Sequence, residues 1–218
     1  MKNYDAALRA LRRDKYLAPL IKRYGPPELT RYHKKTRGVF SALLRSIVYQ
    51  QLSGHAARAI HERVVALFPS GNPTPQALLK IRAPRLRKAG LSIQKIAYAR
   101  DLARKCLDGT IDERLFQKMT SQEIVEHLTQ VHGVGEWTAH MVLIFTLGRA
   151  DILPAGDLAV RKGFQKAYGL RALPGKAEME ARAAKWRAYA SIASWYFWAI
   201  ADESKKKEPR ADVGARSS

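Results

Sequence analysis

Residues 128–164 read LTQVHGVGEWTAHMVLIFTLGRADILPAGDLAVRKGF, and the rest of the chain is best understood outward from them. A glycine-rich turn, Val131-His132-Gly133-Val134-Gly135, is preceded by apolar residues at Ile124, Val125 and Leu128 and followed by Val142, Leu143, Phe145 and Leu147. Both flanks have helical rather than alternating spacing, so the stretch predicts helix, hairpin, helix. Glycine tolerates positive φ and lacks a Cβ, so a second backbone can come close at Gly133 and Gly135. The first N–H groups of the following helix have no intrahelical partner and can receive a phosphate. Taken alone, the fragment reads more readily as an ordinary turn between packed helices, because short glycine motifs are weak evidence. Further on, a proline-containing loop ends in Asp157, ahead of another helical pattern. An aspartate there is an N-cap, a reactive carboxylate, or both.

Charge favours a polyanionic partner. The 218 residues carry a formal net charge of +20, with a pI near 10.3. The basic residues are spread along the chain, at Arg9, Arg12, Lys22, Arg85, Lys88, Lys95 and Arg161 among others. A balance this one-sided says little about fold and much about partners. An anionic membrane is disfavoured, because no apolar run approaches the roughly 18 residues of a spanning helix. The N-terminus has no apolar signal core, since Asp5, Arg9 and Arg12 interrupt it.

The single cysteine, Cys106, excludes an internal disulfide and a cluster held by four protein thiolates. No histidine is spaced from another, or from Cys106, as zinc ligands are. The period is helical almost throughout. One stripe runs through Phe40, Leu43, Leu44, Ile47 and Val48, a second through Ala57, Ile60, Val64 and Val65, and a third through Tyr98, Leu102, Ala103 and Cys106. A long pattern extends from Met179 to Ile200. Breaks fall at Gly25-Pro26-Pro27, Pro69 to Pro73, Pro154 with Gly156, and Pro174-Gly175. The expectation is an all-α chain of short helices. It forms one domain over 1–203, with one lobe at about 40–155 and the other from 1–39 plus 156–203, flanking a cleft. Residues 204–218 are charged and poor in apolar residues, which predicts a disordered tail.

Five segments then coincide with one family. They are Leu44-Arg45-Ser46-Ile47-Val48-Tyr49-Gln50-Gln51-Leu52-Ser53, Leu86 to Ser92, His132-Gly133-Val134-Gly135-Glu136-Trp137-Thr138-Ala139, Leu153-Pro154-Ala155-Gly156-Asp157-Leu158, and Trp186-Arg187-Ala188-Tyr189 leading to Trp195-Tyr196-Phe197-Trp198. In this order they resemble the helix–hairpin–helix DNA glycosylases whose Gly/Pro-rich loop ends in aspartate. The resemblance is strongest to the 3-methyladenine DNA glycosylase II, or alkylbase glycosylase, branch, and it covers roughly residues 14–199.

The resemblance implies an enzyme of base excision repair that flips an alkylated purine from duplex DNA and hydrolyses its N-glycosidic bond. Expected substrates are 3-methyladenine, 7-methylguanine and ethenoadenine. Asp157 would be the catalytic carboxylate, facing the positive charge that develops on the sugar. Trp137 stands where lyase relatives carry a nucleophilic lysine, which implies a monofunctional enzyme with water as nucleophile. Trp137, Met141, Trp195 and Trp198 are the expected base pocket, where an electron-rich ring suits a cationic purine. Gln50, Gln51 and Leu52 are the expected wedge that fills the gap left by the flipped nucleotide, with Gln51 first and Leu52 next. Gly133, Gly135, Thr138, Lys95 and Arg161 are expected at the DNA backbone. The family hairpin also implies a monovalent cation on the backbone carbonyls of Thr129, Val131 and Val134. No cofactor is expected for the reaction, and no iron–sulfur cluster. The expected partner is damaged double-stranded DNA, bound by a monomer in the nucleoid or nucleus. Two alternatives stay open: a non-catalytic helix–hairpin–helix DNA-binding protein, in which Asp157 is only a cap, and a glycosylase for oxidised bases.

Overall fold

The computed structural model describes residues 4–29 and 38–207, the side chains of 204–207 excepted. The described helices, in chain order, are α1 (Asp5–Leu11), α2 (Leu17–Tyr24), α3 (Gly38–Tyr49), α4 (Gly54–Val65), α5 (Pro75–Lys80), α6 (Ala83–Lys88) and α7 (Ile93–Leu107). There follow α8 (Ser121–Thr129), α9 (Glu136–Val142), α10 (Leu158–Tyr168), α11 (Lys176–Ala183) and α12 (Ala190–Lys207). No strand occurs among the described residues. The expectation of an all-α chain therefore holds, and no described helix is long and apolar enough to cross a membrane.

The chain divides into two units, Glu28–Ile152 and a second made from Met1–Pro27 with Leu153–Ser218. Gly38 and Val39, expected in the flanking lobe, belong to the middle unit, while Leu153 to Ala155 belong to the other. The expected tail is shorter on its inner side: α12 continues to Lys207, and residues 208–218 lie outside the described residues.

In the middle unit α7 is the central strut, packed against α3, α5 and α6. Leu43, Leu44, Leu78, Leu86 and Leu102 are fully buried there. Helix starts follow the capping residues: Ser53, Thr74 and Ser92 each accept a first-turn N–H, and Thr120 with Glu123 forms a reciprocal capping box. α9 runs on as one π-helical turn, Leu143–Leu147, and stops at Gly148, which is left-handed.

In the other unit α10 and α12 cross at very short range. A Cβ on Gly163 would lie 1.9 Å from the Phe197 carbonyl oxygen, so only glycine allows the crossing. Phe164, Tyr196 and Phe197 are fully buried, and the Phe164 ring stacks on Tyr168 at 4.3 Å. The long pattern from Met179 to Ile200 is not one helix. It breaks between Ala184 and Tyr189, where Trp186 leaves helical geometry with φ −130°. The cause is Asp14, whose carboxylate is 1 % exposed. Its Oδ2 accepts the Trp186 indole N–H at 3.1 Å and the Tyr168 hydroxyl at 2.8 Å, and Lys185 Nζ lies 3.0 Å away. Its Oδ1 accepts the Tyr16 and Leu17 N–H groups. Burial alone would raise the Asp14 pKa, but these donors outweigh it and hold the carboxyl below the ordinary value.

Candidate nucleic-acid interface and carboxylate centre

The hairpin between α8 and α9 is clamped by α7. The Asp101 carboxylate accepts the His132 N–H at 2.8 Å and lies 3.1 Å from the His132 ring. Lys105, one turn on, donates both to Asp101 and to the Gln130 carbonyl. Partial burial would raise the Asp101 pKa, yet Lys105 and His132 lower it on balance. Sequence reading missed Asp101 and Lys105, although their i,i+4 spacing on one helix face was visible.

The two hairpin glycines do different work. Gly133 has φ +80°, and a Cβ there would stand 2.2 Å from the Tyr98 ring. Its missing side chain is filled from inside the protein. Gly135 has ordinary φ and open space where its Cβ would be. It forms the N-cap of α9 with no side-chain cap. Gly135 is therefore the glycine that leaves room for another molecule. Thr138, expected at the DNA backbone, is 4 % exposed, so its side chain is not presented to a phosphate. Trp137 is 49 % exposed, so its ring is not part of the core. Met141 is half-buried, one turn along α9 from Trp137.

The three wedge candidates separate clearly. The Gln50 side chain donates to the Gly133 carbonyl at 2.6 Å and ties the end of α3 to the hairpin. Gln51 is exposed and held at φ +57°, a conformation rare for a non-glycine residue. Leu52 follows at 39 % exposure. The loop thus presents Gln51 and Leu52 outward and uses Gln50 as its tie. Lys95, expected at the DNA backbone, is instead committed inside the protein. Its ammonium donates to the Val48 and Gln50 carbonyls, each at 2.7 Å, and so caps α3. Partial burial lowers its pKa.

The second centre lies in the other unit. Asp157 is the N-cap of α10: its Oδ1 accepts the Val160 N–H at 2.8 Å. The same oxygen accepts the Trp198 indole N–H at 3.1 Å. Trp195 is three residues before Trp198 on α12, hence on the same helix face, and both rings are half-buried. Arg161 points elsewhere with its Nε, which donates to the Pro174 carbonyl at 3.0 Å. The carbonyls of Thr129, Val131 and Val134 sit on the hairpin turn, and that of Val131 accepts the Val134 N–H at 3.0 Å. Among the described residues, no group of three His, Cys, Asp or Glu side chains could hold a metal ion.

A capped hairpin and a helix-capping aspartate at this spacing coincide with a known family. Residues 44–188 match the model of the HhH-GPD superfamily of base excision DNA repair proteins. The chain belongs to that superfamily. Among relatives of this HhH-GPD chain is DNA-3-methyladenine glycosylase 1 of Schizosaccharomyces pombe, 31 % identical over 78 % of this chain and 77 % of that protein. Among solved structures, the S. pombe 3-methyladenine DNA glycosylase in complex with abasic DNA aligns with TM-score 0.75 at 30 % identity, covering 88 % of this chain and 95 % of that one. A DNA-3-methyladenine glycosidase from Bacillus halodurans aligns with TM-score 0.74 at 29 % identity, over 90 % of this chain and 93 % of the other.

Proposed function

We propose that this HhH-GPD protein is a monofunctional DNA glycosylase that releases alkylated purines from duplex DNA. The observation that carries the reading is the Asp157 carboxylate, which caps α10 and receives two N–H donors on Oδ1. Alkylation at N3 or N7 makes a purine cationic, so the base leaves readily with the bonding electron pair. The sugar is left oxocarbenium-like, and a fixed negative charge beside it lowers the barrier. Water then adds at C1′ and loses a proton to solvent, leaving an abasic strand.

Around that step each residue has a physical task. Gly135 and the first turn of α9 approach a phosphate. Gln51 and Leu52 enter the stack as the nucleotide leaves it. Trp195 offers a ring face to the base. Trp137 has no amine, so no Schiff base forms and the strand stays intact. Three uncharged carbonyls, those of Thr129, Val131 and Val134, suit a monovalent ion better than a divalent one, which prefers carboxylates. Such an ion would supply positive charge toward a phosphate oxygen. The protein acts on DNA as a monomer.

Base release from methylated duplex DNA is the direct test. Wild-type protein frees 3-methyladenine or 7-methylguanine and leaves an uncut abasic strand, and Asp157→Asn abolishes release while retaining DNA binding. Unchanged release by Asp157→Asn, or a borohydride-trapped protein–DNA adduct, overturns the mechanism.

A further inference from the structure

We propose that Trp198 is a positioning residue for base release, holding Asp157 through its indole N–H, rather than a wall of the base pocket. It rests on the assignment of Asp157 as the carboxylate beside the sugar. The geometry is specific. Trp198 Nε1 lies 3.1 Å from Asp157 Oδ1, the oxygen that also accepts the Val160 N–H at 2.8 Å. One donor comes from the helix that Asp157 caps and the other from a different helix, so together they fix the rotation of the carboxylate about its own side chain.

The approach of those helices is built in. Gly163 lets α10 meet the backbone of α12 at Phe197, the residue next to Trp198. The neighbouring rings of Tyr196 and Phe197 are fully buried, which locks the rotation of α12 about its axis. Trp198 is thereby presented to the first turn of α10 by packing that owes nothing to the indole itself. The same unit uses an indole in this way a second time, where Trp186 donates to the buried Asp14. A ring that stacks on a base needs only its face. A ring that steers a carboxylate needs its N–H, and the two roles come apart on substitution.

Trp198→Phe keeps an aromatic ring and removes the donor. Single-turnover base release should fall about 10- to 100-fold, the size expected of one hydrogen bond to a charged group. The fall should be the same for every purine the wild type releases, charged or neutral, and affinity for damaged duplex should not change. A second measurement needs no loss of the tryptophan. Of the four indole N–H signals in protein labelled with ¹⁵N-tryptophan, that of Trp198 should shift most in Asp157→Asn, while that of Trp186 stays in place. Wild-type rates in Trp198→Phe overturn the proposal. So does a loss confined to cationic bases or to affinity, or an indole signal indifferent to Asp157→Asn. If Asp157→Asn itself releases base normally, the assignment of Asp157 fails instead, and that outcome is seen separately.

Discussion

Asp14 illustrates how much one residue can organise. A buried carboxylate is costly unless its oxygens are hydrogen-bonded, and here two backbone N–H groups, a phenol, an indole and a lysine converge on it. Removing it would leave the Trp186 indole and the Tyr168 phenol buried and unpaired, so Asp14→Ala should cost about 3–5 kcal/mol in urea denaturation. The pH dependence follows from the lowered pKa of the folded state. The contribution is fully present above the unfolded-state value near 4, and it is lost as pH falls through the lower folded value. Stability of the wild type should therefore drop through that acid window, and Asp14→Asn should flatten the drop. Nothing in the sequence around Asp14 announced this role, since its partners are 154 and 172 residues away. Asp157 was legible as an N-cap from the helical pattern that follows it, whereas its catalytic role was implied only by the family resemblance. The job of Trp198 was hidden, because spacing shows that a ring lies on a face but not which atom it offers.

Elements explain why some expectations survived and others did not. Helix starts at Ser53, Thr74, Ser92 and Thr120 are set by local chemistry, each cap bonding within three residues. The break at Trp186 is not, because the pull on it comes from α1 and its following turn. Lys95 was expected at the DNA backbone, whereas its ammonium donates to carbonyls 45 and 47 residues earlier. The hairpin glycines give a sharp test of the same distinction. Gly133→Ala combines positive φ with a clash on Tyr98, and should lower stability by about 1–3 kcal/mol. Gly135→Ala meets open space at ordinary φ, and should change stability by less than about 0.5 kcal/mol. Its effect should instead appear as weaker binding to duplex DNA in a fluorescence titration. Equal melting temperatures for the two variants would contradict the assignment of separate roles.

At the scale of the molecule, charge is the property that sequence states most directly, because screening and counterion release depend on totals more than on fold. The net charge is +20, but it is not uniform. From Arg63 to Arg100 the chain contains no Asp or Glu. Within that stretch Lys80, Arg82, Arg85 and Lys88 are exposed on and beside α5 and α6, while Leu78 and Leu86 bury the inner faces of the same two helices. Charges anchored in this way on short rigid helices, with no acidic neighbour in the segment to neutralise them, are suited to tracking phosphates. Each phosphate neutralised contributes about 0.9 to the slope of log affinity against log salt. Replacing Arg82, Arg85 and Lys88 together with Ala should make that slope shallower by about 1–3 units. The loss should be the same for damaged and undamaged duplex, since phosphate contacts carry no sequence information. Base release at saturating protein should keep its wild-type rate, because phosphate contacts hold the duplex without touching the base. An unchanged salt slope would show that this face is only a solvated surface, and a slope that changed for damaged duplex alone would place it at the lesion instead.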